Sequence, residues 1–204
     1  MRKNGICGKQ KRKFRVATTD SKHHYPITPN LLGQRFQSDA INRVWVADIS
    51  YVTTEEGFLY LATVMDLCSR RIVGWSMSSS ITRELALDAL WMAVRQCNPQ
   101  VGLIHHSDRG VQYASEEYQN ALKSYDMRCS MSCRGNCYDN APMESFFHTL
   151  KVENVYEKRY ITRKEAKQDI FEYIEVFYNR QRLHSSIGYI SPAAFEEQLL
   201  NKVA

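Results

Sequence analysis

The chain has 204 residues, 44% of them apolar and 24% charged, and carries a net charge of +5. That length suits one good-sized domain with an arm or subdomain. No apolar run approaches the ~20 residues that a membrane-spanning helix needs, and the basic amino terminus lacks the apolar stretch of a secretion signal, so a cytoplasmic protein is expected.

The charge is unevenly spread. Residues 1–37 hold nine Lys or Arg, Lys11, Arg12 and Lys13 among them, against one acid, Asp20. A basic arm on a slightly acidic body points to a polyanion partner, most simply nucleic acid. Pro26, Pro29 and Gly33 break this arm, so residues 1–39 read as an extended linker with little regular structure.

Three strand-like segments follow in quick succession: "RVWVADISYV", "FLYLATVMDL" and "RIVGWSMS". Their β-branched and aromatic residues favour strands, and the short links between them favour an antiparallel meander. "TRELALDALWMAVRQC" then carries apolar residues at helical spacing behind a capping Thr82, and Pro99 and Gly102 end it. "VGLIHHS" reads as a fourth strand, "SEEYQNALKSYD" as a helix capped by Ser115, and "MRCSMSC" as a fifth strand. Strand, helix, strand implies a parallel crossover. The predicted fold class is therefore α/β, a mixed five-stranded sheet of three antiparallel and then two parallel strands flanked by helices.

Beyond the fifth strand, "NCYDNAPMESFFHTLK" offers Asp139 and Asn140 as caps, Pro142 in the first turn and an apolar stripe of Phe146, Phe147 and Leu150. "TRKEAKQDIFEYIEVFYNRQR" reads as one long amphipathic helix over residues 162–182, and "SPAAFEEQLL" as a short one begun by Ser191 and Pro192. Six cysteines are scattered through the chain without C-x-x-C pairs. Cys129, Cys133 and Cys137 recur every four residues, but zinc ligands come in tight pairs on turns, so these are read as thiols.

The chemistry lies in three carboxylates. Asp48 sits mid-strand between apolar neighbours, where a lone charge costs several kcal/mol unless something compensates it. Asp108 follows the fourth strand directly, at the carboxyl end where α/β proteins place their sites. Glu144, His148 and Lys151 stand at i, i+4 and i+7 on one helix face. Acids from a strand centre, a strand end and a helix can converge on Mg²⁺, which takes oxygen ligands and keeps positions open for water and phosphate. Two such ions serve phosphoryl transfer. Asp66, in "VMDLCSRR", is assigned to the hairpin turn.

With these residues in place, the chain resembles a known family. "VWVADISYV", "LYLATVMDLCSRRIVGWSM", "LIHHSDRGVQYAS", "CSMSCRGNCYDNAPMESFFHTLKVE" and "YNRQRLHSSIGYISPAAFE" are similar to the catalytic, orfB-type frame of bacterial insertion-sequence transposases. That is the third large insertion-sequence family, relatives of retroviral integrases in the DDE superfamily. The resemblance covers nearly the whole chain. It implies a ribonuclease-H-like fold and metal-dependent cleavage at element ends, followed by attack of the freed 3′-hydroxyl on another phosphodiester. It places Asp48, Asp108 and Glu144 on the metal-binding acids, holding two Mg²⁺ (or Mn²⁺) ions per site, with Asp48 bridging both.

The same resemblance gives DNA-side roles to Lys151 and His148, lets Arg109, Asn136 and Asn140 orient substrate or loop, and matches Tyr178, Asn179, Arg180, Arg182 and His184 to the carboxy-terminal signature. It implies an integrase-like core over residues 40–157 and a helical extension over 158–204. Expected partners are the element's terminal inverted repeats and target DNA, other copies of the chain on that DNA, and an orfA-type product or fused upstream region supplying a helix-turn-helix. "MRKNGICGKQKRKFRV" resembles the end of that region, so the chain looks amino-terminally short; localisation would be cytoplasmic, on the bacterial nucleoid. A ribonuclease-H-like nuclease limited to hydrolysis, or an inactive DNA-binding remnant, would carry the same acids.

Overall fold

In a computed structural model the described residues are 23–133 and 137–203. Lys11, Arg12, Lys13 and Asn136 lie outside them. Strand β1 (Val44–Thr54), β2 (Gly57–Asp66) and β3 (Ile72–Ser78) are followed by α1 (Arg83–Cys97) and β4 (Ile104–Ser107). A helical turn α2 (Val111–Ala114), α3 (Glu116–Ser124), β5 (Arg128–Met131) and α4 (Ala141–Leu150) come next, and α5 (Arg163–Glu172) and α6 (Pro192–Val203) end the chain. The sheet order is β3-β2-β1-β4-β5, with β1–β2 and β2–β3 antiparallel and β1–β4 and β4–β5 parallel. This is the mixed sheet expected from the sequence. Among the described residues no helix is long and apolar enough to cross a membrane.

Alternation along β1 divides the core in two. Trp45, Ala47 and Ile49 face one layer with α1, Tyr113, Tyr118 and Leu122. Val46 and Val52 face the other, with Met143, Phe146, Phe147 and Leu150 of α4 and Ile170, Ile174 and Tyr178 further on. Two-sided burial explains why β1 reads as nearly continuous apolar sequence, broken by Asp48. Helix α5 and the segment that follows it to Tyr178 thus share a core with α4.

Several expectations are corrected by tertiary contacts. The helix expected over 162–182 starts on Thr162, whose side chain accepts from Glu165 N–H, but its last part widens over Tyr173–Tyr178 and it ends there. Thr82 occupies the cap position of α1 without making the capping bond, whereas Ser115 accepts from Tyr118 N–H as expected. The described part of the arm has no helix or strand, yet it is docked: Leu31 N–H donates to Ser130 Oγ at 2.9 Å and Thr28 Oγ1 lies 3.2 Å from Cys129 Sγ.

The α1 layer sits very close to β3 at Gly74, where a Cβ would collide with the Ala89 carbonyl and the Ala93 backbone and side chain. Gly74→Ala is expected to lower stability by about 1–3 kcal/mol, the usual cost of overpacking. A denaturant midpoint equal to wild type would show that α1 can move off the sheet freely.

Candidate active site

The sheet register brings two of the acids together. β1 and β4 run parallel with Val46 opposite His106, so the same register two residues on sets Asp48 level with Asp108, just past the end of β4. The pairing with β4 stops at Val46, which opens that edge of β1 where Asp48 sits. Asp48 is half-buried, and its Oδ1 accepts from Ile49 N–H at 2.8 Å. Its carboxyl is pushed well above the usual range, by burial first, then by Asp108 and less by Glu144, while the Ile49 N–H and Lys151 pull it back. Asp108, Glu144 and Lys151 therefore all lie within electrostatic reach of Asp48.

Asp108 is fixed by its own turn. Its Oδ1 accepts from Gly110 N–H at 2.8 Å, and a Cβ on Gly110 would fall 2.9 Å from that oxygen. Glycine leaves room for the carboxylate. Glu144 is exposed on the first turn of α4, and desolvation pushes its carboxyl up. Among the described residues no three His, Cys, Asp or Glu side chains stand close enough to enclose an ion as they are. Their chemistry still suits a hard cation: oxygen donors, two of them half-buried, with the bare charge of Asp48 disfavoured by burial first and then by Asp108 and Glu144.

Lys151 begins a widened turn, Lys151–Val155, in which Tyr156 N–H donates to Lys151 O at 2.8 Å. Such i→i+5 turns inside helices recur at functional sites. The Lys151 ammonium lies 5.0 Å from the Tyr51 ring centroid. Burial lowers its pKa and Asp48 raises it. Tyr51, Lys151, Tyr156 and Lys158 line an open cavity of about 290 Å³. His148 is exposed one turn from Glu144.

Other residues assigned to DNA are engaged within the protein. Asn140 is buried, and its amide donates to Ala47 O at 3.2 Å. Asn140 occupies the cap position of α4 without making the capping bond; its amide ties the start of α4 to β1, one residue before Asp48. Asp139, the other expected cap, accepts from Cys133 N–H at 2.6 Å and Gln34 Nε2 at 3.0 Å. Burial would raise its carboxyl, but the bonds from Cys133 and Gln34 outweigh it and hold it below the usual range. Arg109 Nε donates to Ser132 O.

Most of the carboxy-terminal signature makes contacts within the fold. Tyr178 and Asn179 are buried. Arg182 pairs with Glu153, Nε–Oε2 2.9 Å and Nη2–Oε1 2.8 Å, and lies 5.9 Å from the Tyr178 ring centroid. His184 Nδ1 caps a short turn, accepting from Ser186 N–H at 3.4 Å. Arg180 stays exposed beside Arg71 and Glu196, on the β3 side of the sheet. Asp66 accepts from Asn42, Cys68 and Ser69 N–H groups at 2.6, 3.0 and 2.9 Å, which makes it the anchor of its turn.

Sequence reading overlooked His106. Its ring is buried between Ser130 Oγ at 2.8 Å and Asp139 O at 2.9 Å, so it joins β4 to β5 and to the segment leading into α4. Burial lowers its pKa, leaving a neutral ring with one nitrogen to give and one to receive. A polar pair in an otherwise apolar strand, "LIHHS", was the available signal.

The sequence matches the integrase core domain family over residues 38–137 and again, under the same description, over 144–200. It is 55% identical over 190 residues to the insertion element IS600 uncharacterized 31 kDa protein of Shigella sonnei, covering 93% of this chain and 70% of that protein. It is 46% identical over 200 residues to transposase InsF for insertion sequence IS3A of Escherichia coli K12, covering 98% and 69%. Among solved structures, a chain of the simian T-cell lymphotropic virus intasome in complex with PP2A regulatory subunit B56 gamma aligns with TM-score 0.66 at 16% identity. The alignment covers 88% of this chain and 61% of that one. The HTLV-2 integrase catalytic core domain in complex with magnesium, in trimeric form, aligns with TM-score 0.58 at 14% identity, covering 76% and 96%. These likenesses give the sheet its ribonuclease-H-like identity. On sequence identity and core-domain match together, the chain belongs to the insertion-sequence transposases of the IS3 type.

Proposed function

We propose that this chain cuts DNA at the ends of an insertion element and joins the freed 3′-hydroxyl to a second DNA. The convergence of Asp108, Glu144 and Lys151 on Asp48 carries this reading. Asp48, Asp108 and Glu144 would hold Mg²⁺ or Mn²⁺, two ions per site. When bound, such ions supply the positive charge that activates an attacking oxygen and stabilises a leaving one. The magnesium complex of the HTLV-2 integrase core supports that choice of metal.

The protein's own part is placement. The β1–β4 register would set the two aspartates level with each other, and α4 would bring a third, exposed carboxylate on its first turn. Lys151, its pKa lowered by burial but held up by Asp48, supplies a cation for a phosphate lying along the β1 edge, and His148 would flank the same strand. The arm residues Lys11, Arg12 and Lys13 add sequence-independent attraction to the backbone. Terminal inverted repeats and target DNA are the substrates, other copies of the chain the partners on them. An upstream helix-turn-helix would supply base readout, and the site of action would be the nucleoid.

The test is incubation of the chain with a duplex carrying the element's end, 5′-labelled on the strand whose 3′-hydroxyl is freed, and an unlabelled target, in Mg²⁺ or in EDTA. Label transferred to the target in Mg²⁺ alone is the expected result. Nicking without transfer would leave a nuclease limited to hydrolysis, and no metal-dependent product at all would overturn the reading.

A further inference from the structure

Buried polar atoms without a hydrogen-bond partner are uncommon in folded proteins, and each one calls for an explanation. Thr63 Oγ1, Tyr113 OH and Asn140 Oδ1 are three such atoms among the described residues. All three adjoin Asp48. Thr63 is its directly opposite partner on β2, Asn140 is bonded to the residue before it, and Asp48 and Asp108 both raise the Tyr113 phenol, behind burial and Tyr118.

Thr63 is the most sharply placed. Opposite residues of an antiparallel pair project to the same face, with Cβ atoms about 4.5–5.5 Å apart. Leu61 and Met65, its alternation partners, lie in the α4-side core with Val46 and Val52, so Thr63 and Asp48 share that face. Thr63 is 0% exposed, an environment in which valine would have the same shape and no polar atom to leave unpaired. One Asp48 oxygen accepts from Ile49, which leaves the second for another donor.

We propose that Thr63 is a positioning residue: its hydroxyl donates to the second carboxylate oxygen of Asp48 once a divalent ion is bound, fixing the orientation of that ligand. The proposal rests on the active-site reading above. A hydroxyl donor behind a ligating carboxylate both aims it and favours its charged form. Without the ion, the Thr63 hydroxyl has no hydrogen-bond partner.

The test uses the full chain, Mg²⁺ as the probe, and the substitutions Thr63→Val and Thr63→Ser. In EDTA, Thr63→Val should melt no lower than wild type, because removing an unsatisfied buried hydroxyl at constant shape is neutral or stabilising. Its Mg²⁺ affinity, by calorimetry and by the Mg²⁺-induced rise in melting temperature, should fall by about 10-fold or more, the usual penalty for losing an outer partner of a metal ligand. Thr63→Ser should keep most of the affinity. A Thr63→Val protein that binds Mg²⁺ as wild type does overturns this inference alone, as does one that melts markedly lower in EDTA, which would mean that the hydroxyl is already spent on the fold. A wild-type chain that binds no Mg²⁺ overturns the active-site reading and this inference with it.

Discussion

Asp48→Asn is expected to abolish strand joining while raising the melting temperature of the metal-free chain. Losing a charged metal ligand at constant volume should cost about three orders of magnitude in joining or more, equivalent to roughly 4 kcal/mol of barrier. Asp108→Asn and Glu144→Gln should do the same to joining. The stability effect is particular to Asp48, whose carboxyl is pushed up by burial, then by Asp108 and Glu144. A carboxyl with a raised folded-state pKa keeps its proton in the fold after the unfolded chain has released it. Stability therefore falls as pH rises from the unfolded value of about 3.9 through the folded value, and stays reduced above it.

Asparagine has nothing to titrate. The advantage of Asp48→Asn should be absent at about pH 3, grow as pH rises through the folded value, and be complete above it, with each kcal/mol appearing as about 2–4 °C for a chain of this size. Saturating Mg²⁺ should reverse the order, since a ligand at 100 times its Kd adds about 2.7 kcal/mol to the wild type. Melting curves at several pH values, with EDTA and with Mg²⁺, provide the check. A variant less stable than wild type at neutral pH in EDTA would mean that Asp48 is compensated in the resting fold.

The position of the three acids was legible in the sequence because each breaks a local rule: a charge mid-strand in "VWVADISYV", an Asp at a strand end, and an acid heading a face that also carries Lys151. Strand order was legible for a similar reason, since link lengths alone separate hairpins from crossovers. The amide side chains were not. In a linear string Asn140 reads as a cap and Asn179 only as part of a signature, and their partners in the fold, Ala47 and Ile72, lie 93 and 107 residues away. Periodicity tells which face a residue takes but not which backbone group will meet it there. The helix end shows the same limit: nothing in "YNRQR" breaks a helix, yet the helix stops at Tyr178 and Asn179 turns its amide to the Ile72 backbone. Thr63 was hidden because a threonine in a strand satisfies propensity, so nothing local marks it as opposite Asp48.

Asn179→Ala is the stability counterpart of the active-site substitutions. The Asn179 amide lies against the backbone of Ile72 at the start of β3, the edge strand. Its Oδ1 accepts from Ile72 N–H at 2.9 Å and its Nδ2 donates to Ile72 O at 3.0 Å, both in buried surroundings. An edge strand has one unpaired row of backbone groups, and the asparagine supplies the pairing that a further strand would give. Alanine would leave a buried donor and a buried acceptor unmet, at about 1–3 kcal/mol each. Urea denaturation of Asn179→Ala should show a loss of about 3 kcal/mol or more, and hydrogen exchange should show the Ile72 amide losing protection ahead of the β1 amides. Asn179→Asp offers an internal control: its carboxylate can still accept from Ile72 N–H but cannot donate to Ile72 O, and it would set a charge against that carbonyl. It should be at least as damaging as alanine. Should both variants unfold at the wild-type midpoint, the amide would be a passenger, and the carboxy-terminal segment would be held to the sheet by Tyr178 and its apolar neighbours alone.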